Sequence, residues 1–266
     1  MLLLPLLILA IASIATASKI LVPLYSWDEN CWPELQQAGA ANPSVDFILI
    51  INPNSGPISD TNDPSLYCVP ILREKLPRAT IIGYVRTGYG SRSQADVKAD
   101  IAMYSSWKNL KVGAEGKAPR LDGIFFDEVQ DVTTKPLLSL YSGYSSAARA
   151  AFASSTIVMN PGTKVGARLY GYADYIVYFE TYYKEWSRSK LPAATYMNKT
   201  VIMIHTMPSS NATLRSTLKQ FVPQVGATYV TDLSLDKTDV YAAFGPDWPQ
   251  FVRNVAQLNA ATAGSA

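Results

Sequence analysis

Eight short, almost unbroken apolar runs recur along this 266-residue chain, and they limit its fold more than any other feature. They occupy residues 19–25, 46–52, 80–86, 121–127, 156–160, 174–180, 200–205 and 227–232. Each is rich in Ile, Val, Tyr or Phe and is bounded by turn residues, as strands are. The runs are continuous and do not alternate apolar with polar. A parallel sheet covered on both faces requires that pattern. Helical periodicity lies between them at 93–110, 135–153, 211–225 and 246–262. In the first, Val97, Ile101, Tyr104 and Trp107 repeat at three- and four-residue spacing. The segment after the fifth run is short and Gly-containing and gives the weakest helical signal.

Eight strand–helix units in about 250 residues predict an α/β fold, a single-domain (β/α)8 TIM barrel. A doubly wound open sheet is the alternative, but no GxGxxG follows the first strand. Residues 1–17 are apolar, carry Pro5 and end in Ala15-Thr16-Ala17, an A-x-A cleavage pattern. The run is short for a membrane span of about 20 residues. The expected division is therefore a signal peptide over 1–17 and the barrel over 18–266. A secreted chain, extracellular or in the cell wall, follows. Cys31 and Cys68 are expected to pair in that oxidising setting; two separate buried thiols are the alternative. Asn198 and Asn211 open N-x-Thr sequons.

With 23 Lys plus Arg against 21 Asp plus Glu, no strong field recruits nucleic acid. One histidine and two cysteines cannot build a His- or Cys-rich metal site. No nucleic-acid partner, no metal, no cofactor and no membrane attachment after cleavage are expected, and the chain is read as a monomer.

In a barrel the reactive side chains sit at the C-terminal strand ends. Here those ends carry Tyr25 and Trp27, Asn52, Arg86 and Tyr89, Asp127 and Glu128, Asn160, Glu180 and Tyr182, and His205. Asp46, Asp122 and Asp174 precede or begin strands and read as stabilising groups at the opposite end. Adjacent strand residues face opposite ways. If Asp127 points inward with Phe125 and Gly123, Phe126 and Ile124 face the helices and Glu128 lies on the rim. By the same alternation Glu180 shares a face with Tyr178 and Ile176. Asp127 and Glu180 then meet across the mouth.

Two carboxyls around one cleft suit glycosidic cleavage, in which one protonates the leaving oxygen and the other attacks carbon or activates water. Pairing of these acids with Arg86, or helix capping, is the plainer explanation. Tyr25, Trp27, Tyr89, Tyr178 and Tyr182 offer flat faces to sugar rings; packing is the alternative for each. His205 is a candidate for binding a sugar hydroxyl or tuning Glu180, or is a structural histidine. Asn52 and Asn160, each before a proline, orient loops or bind sugar hydroxyls.

The segments "IINPNSGP" (50–57), "IIGYVRTGYGSR" (81–92), "DGIFFDEV" (122–129) and "NPG" (160–162), in this order, give the chain a resemblance to the spherulin-4-like family. Some members of that family are endo-α-1,4-N-acetylgalactosaminidases of glycoside hydrolase family 135. The resemblance implies a (β/α)8 barrel that cleaves α-1,4-linked N-acetylgalactosamine (GalNAc) in galactosaminogalactan-like exopolysaccharide. It carries the functional acids onto Asp127, Glu128 and, through "YFET", Glu180. On this reading Glu180 is the general acid and Asp127 the nucleophile or base, with the reverse open. Some members of the family serve in walls or dormancy, so a secreted, non-catalytic wall or spore-coat protein that binds glycan is the alternative. A phosphate-binding barrel isomerase is disfavoured, because the loops after the seventh and eighth runs, "HTMPSSNAT" and "TDLSLDK", contain no glycine.

Overall fold

The structure, a computed structural model, describes residues 17–132 and 134–263. The signal-peptide expectation falls, apart from Ala17, outside the described residues. Eight parallel strands close into a barrel in sequence order: β1 (Lys19–Leu24), β2 (Phe47–Ile51), β3 (Thr80–Arg86), β4 (Gly123–Asp127), β5 (Thr156–Met159), β6 (Tyr175–Tyr182), β7 (Thr200–His205) and β8 (Ala227–Val230). All eight runs therefore form strands, and β8 pairs back onto β1 through Ile20 and Thr228.

Among the described residues, six α-helices cover the barrel: α1 (Pro33–Ala41), α2 (Pro64–Lys75), α3 (Gln94–Ser106), α4 (Lys135–Ala151), α5 (Asn211–Leu218) and α6 (Trp248–Ala263). Four start on a side-chain cap, from Asp63, Ser93, Thr134 and Ser210. The expectation of a helix after every strand fails twice. Short 3-10 turns replace the helices after β5 and β6, where glycines and prolines interrupt helical periodicity. α5 also stops at Leu218, short of the 225 that the periodicity indicated.

Inward and outward faces follow from the contacts. Gly83 faces outward, where the Tyr104 ring of α3 occupies the space a Cβ would need. Tyr84 consequently faces inward and stacks on Phe125 at 5.9 Å, while Phe126 faces out and stacks on Tyr144 of α4. At the N-terminal end, Asp46, Asp122 and Asp174 pair with Arg78, Arg73 and Arg149 at 2.7–2.9 Å. Asp122 and Asp174 also accept the backbone N–H groups of Ile81 and Ile157. These acids fasten strand starts, as the sequence indicated.

Candidate active site

Asp127 closes β4 on its inward face. One oxygen accepts the Tyr84 hydroxyl at 2.6 Å, and the other accepts Asn160 Nδ2 at 2.9 Å. The same Nδ2 donates to Glu180 Oε2 at 2.7 Å. Asn160 Oδ1 takes the Gly162 N–H at 2.8 Å, which fixes the amide with its nitrogen toward the acids. One buried amide thus holds both carboxyls, and Tyr241 donates to the other oxygen of Glu180.

Glu180 reaches this position through an irregularity that simple alternation does not foresee. Asp127 and Asn160 lie level on β4 and β5, and the β5–β6 register places Val177 level with Asn160 on the inward face. Strict alternation would then aim Glu180 at the helices. The β6–β7 register slips between Val177 and Phe179, so Tyr178 is an extra, bulged residue. The slip turns Glu180 inward, opposite Met203, and sends Phe179 outward against Trp186. The expected shared face of Glu180, Tyr178 and Ile176 is thus corrected. Tyr178 lines a separate cavity with Phe179 and Thr181.

Burial raises the Glu180 pKa above the ordinary carboxyl value; the Asp127 charge adds to this, while the bonds from Tyr241 and Asn160 act against it. Burial, reinforced by the adjacent acids, pushes the Tyr84 and Tyr241 hydroxyls well up, so both remain protonated donors.

Glu128 sits beside this pair on the rim. Its φ of 54° is left-handed, and its carbonyl accepts the Tyr89 N–H and the Thr87 hydroxyl. A non-glycine residue holds that conformation only when its surroundings impose it. Arg86 lies 3.9 Å from Glu128 and forms no ion pair with Asp127. Pairing with arginine therefore accounts for neither inward acid.

Tyr25 stands among the inward aromatics, edge-on to Tyr84 and Tyr241 at 5.5 Å each. Trp27 and Tyr89 stand on the rim, 66% and 62% exposed. Tyr182 and His205 form a cross-strand pair with rings 4.4 Å apart. His205 Nδ1 meets the Thr206 hydroxyl, and burial lowers its pKa, which keeps the imidazole neutral at pH 7. No hydrogen bond links His205 to Glu180. Asn52 follows β2, and its buried Oδ1 has no protein partner.

Cys31 and Cys68 form a disulfide, with Cα atoms 5.2 Å apart. It ties the β1–α1 loop to helix α2. Asn198 and Asn211 are both exposed, and Asn211 Oδ1 accepts from Asn254 Nδ2.

Sequence reasoning missed Tyr84 and Tyr241. Alternation from Arg86 would have turned Tyr84 inward. Tyr241 lies in an irregular loop after β8 whose path no periodicity reveals.

Comparison with known proteins agrees with this architecture. The model of Spherulin4, spherulation-specific family 4, matches residues 19–255. Spherulin-4 of Physarum polycephalum is 31% identical over 224 residues, which span 80% of this chain and 63% of that protein. The crystal structure of Aspergillus clavatus Sph3 in complex with GalNAc superposes with a TM-score of 0.80 at 27% identity, covering 90% of this chain and 98% of that one. A chitinase from Chromobacterium violaceum shares the fold alone, with 12% identity, a TM-score of 0.52 and coverage of 91% and 99%.

Proposed function

The chain belongs to the spherulation-specific family 4, and from this membership and the geometry of the paired acids we propose that it is a secreted endo-acting glycoside hydrolase of α-1,4-linked GalNAc polymers. The observation that carries the proposal is the single Asn160 nitrogen bound to both Asp127 and Glu180. The Sph3 structure, which holds GalNAc, supports the choice of sugar. A secretory route is supported by the disulfide. On this reading residues 1–17 are removed, and Ser18 anchors the new end through its bonds to Asn259 and Val225.

The two bridged oxygens can be no farther apart than two hydrogen bonds of 2.9 and 2.7 Å laid end to end. Facing oxygens this close support the ~5–5.5 Å carboxyl spacing of retaining enzymes over the ~6.5–9.5 Å spacing of inverting ones. In the first step an Asp127 oxygen forms a bond to the anomeric carbon as the glycosidic C–O bond breaks. Glu180, whose pKa burial raises above the ordinary carboxyl value, gives its proton to the departing oxygen. In the second, Glu180 takes a proton from water, whose oxygen displaces Asp127 from carbon. Tyr84, Asn160 and Tyr241 hold the two acids in place. Glu128, on the rim, positions sugar, and Trp27 and Tyr89 offer it stacking faces. The 2-acetamido group of an α-linked sugar lies on the wrong face to act as the nucleophile.

Reducing ends released from α-1,4-GalNAc polymer test the proposal. The wild-type chain should release them, and Asp127→Asn and Glu180→Gln should release none while binding and folding persist. Binding without cleavage by the wild-type chain would instead indicate a wall or coat protein.

A further inference from the structure

A second cavity, of about 510 Å3, opens beside the acid pair where the barrel lacks its helices. Its inner wall is the outward face of β6, with Tyr178, Phe179 and Thr181, and its outer wall includes Lys164, Glu185 and Lys190. The 3-10 turns after β5 and β6 leave this space open.

The cavity and the acid pair meet at one residue. Gly162 lines the cavity, and a methyl group built on it would lie 3.8 Å from Glu180 Oε2. β5 and β6 pair through Val158 with Tyr175 and Met159 with Ile176, and the ladder ends at that level. Above it, a backbone bond from Glu180 N–H to the Gly162 carbonyl joins the two segments. The side-chain-free surface of Gly162 thus joins the two spaces.

The lining is amphipathic. Tyr178 and Phe179 supply ring surface, and Thr163, Thr181 and Ser189 supply hydroxyls. Lys164, Lys190 and Glu185 enter none of the ion pairs among the described residues. Ring surface beside free donors and acceptors is what a pyranose unit requires. The volume lies within the ~300–1,000 Å3 of small-ligand sites.

We propose that this cavity is an additional glycan subsite, which holds one or two sugar units of the polymer on the β5–β6 side of the cleavage point. The proposal rests on the hydrolase reading above and adds the course of the chain to it.

Binding of α-1,4-GalNAc oligosaccharides of two to six units, followed by calorimetry on the Asp127→Asn protein, tests the subsite without cleavage. Affinity should rise with chain length until the cavity is filled, by about tenfold or more over the shortest oligomer that binds. Adding Ser189→Trp, on the exposed rim, should abolish that gain and leave affinity for the shortest binder unchanged. Lys190→Ala, which adds no bulk, should reduce the gain in part. An equal gain with and without both changes, or no gain with length at all, would overturn the subsite while short-oligomer binding kept the hydrolase reading intact. Failure of every oligomer to bind would overturn both.

Discussion

At the residue scale, the site depends on Asn160 more than on any neighbour that is not itself an acid. Its amide donates to both carboxyls and is oriented by the Gly162 N–H. Asn160→Ala should lower kcat by about a hundredfold or more while the fold persists, because a misplaced acid loses its attack geometry; steady-state kinetics beside a melting curve would show this. Tyr241 gives a pH test. Its hydrogen bond lowers the Glu180 pKa, which burial holds above the ordinary value. Tyr241→Phe should therefore move the alkaline limb of kcat/KM to higher pH, since Glu180 in its proposed role as general acid acts in the protonated form. A limb that moved down or stayed in place would contradict the assignment. The same shift has a stability consequence. As pH rises from the ordinary Glu value toward the raised one, the unfolded chain ionises first and the fold loses stability; Glu180→Gln should remove that loss. Asp127, Asn160 and Glu180 were legible in the sequence because each follows or ends an apolar run. Tyr241 was not, since only the folded loop brings it to the mouth.

At the element scale, the β6 bulge decides what Glu180 can do. Alternation in the sequence brought Glu180 inward on the premise that Ile176 and Tyr178 faced inward too. The structure reaches the same orientation by a different route, with one extra residue reversing the faces beyond Val177. Local composition gives no sign of a bulge, because it is fixed by pairing with β7. Deleting the bulged Tyr178 should make pairing with β7 regular while Glu180 stays inward opposite Met203, so hydrolysis should persist in a protein with barrel-like circular dichroism; loss of hydrolysis in such a folded variant would contradict this reading of the bulge. The disulfide belongs to this scale as well. It closes a separation of 37 residues between the β1–α1 loop and α2. Replacing both cysteines with serine should cost about 2–4 kcal/mol of stability in denaturant unfolding. Hydrolysis by the surviving folded fraction should continue, since neither cysteine touches the acids.

At the scale of the whole molecule, a closed barrel separates stability from chemistry along its axis. Arginine-paired Asp46, Asp122 and Asp174 fasten the N-terminal end. The opposite end gathers Asp127, Glu180 and Glu128 without burying an arginine against the inward pair. Strand count and order were readable because parallel strands covered on both faces must be apolar throughout. The missing fifth and sixth helices were only partly readable, since irregular connections leave no period to detect. Their absence opens the barrel wall beside Glu180, where the proposed subsite lies. The most direct test of the central claim is the anomeric form of the first product, followed by proton NMR during digestion of α-1,4-GalNAc oligosaccharides. Paired carboxyls bridged by Asn160 predict that the α-anomer appears first and then mutarotates; first appearance of the β-anomer, or no new reducing end at all, would contradict the account.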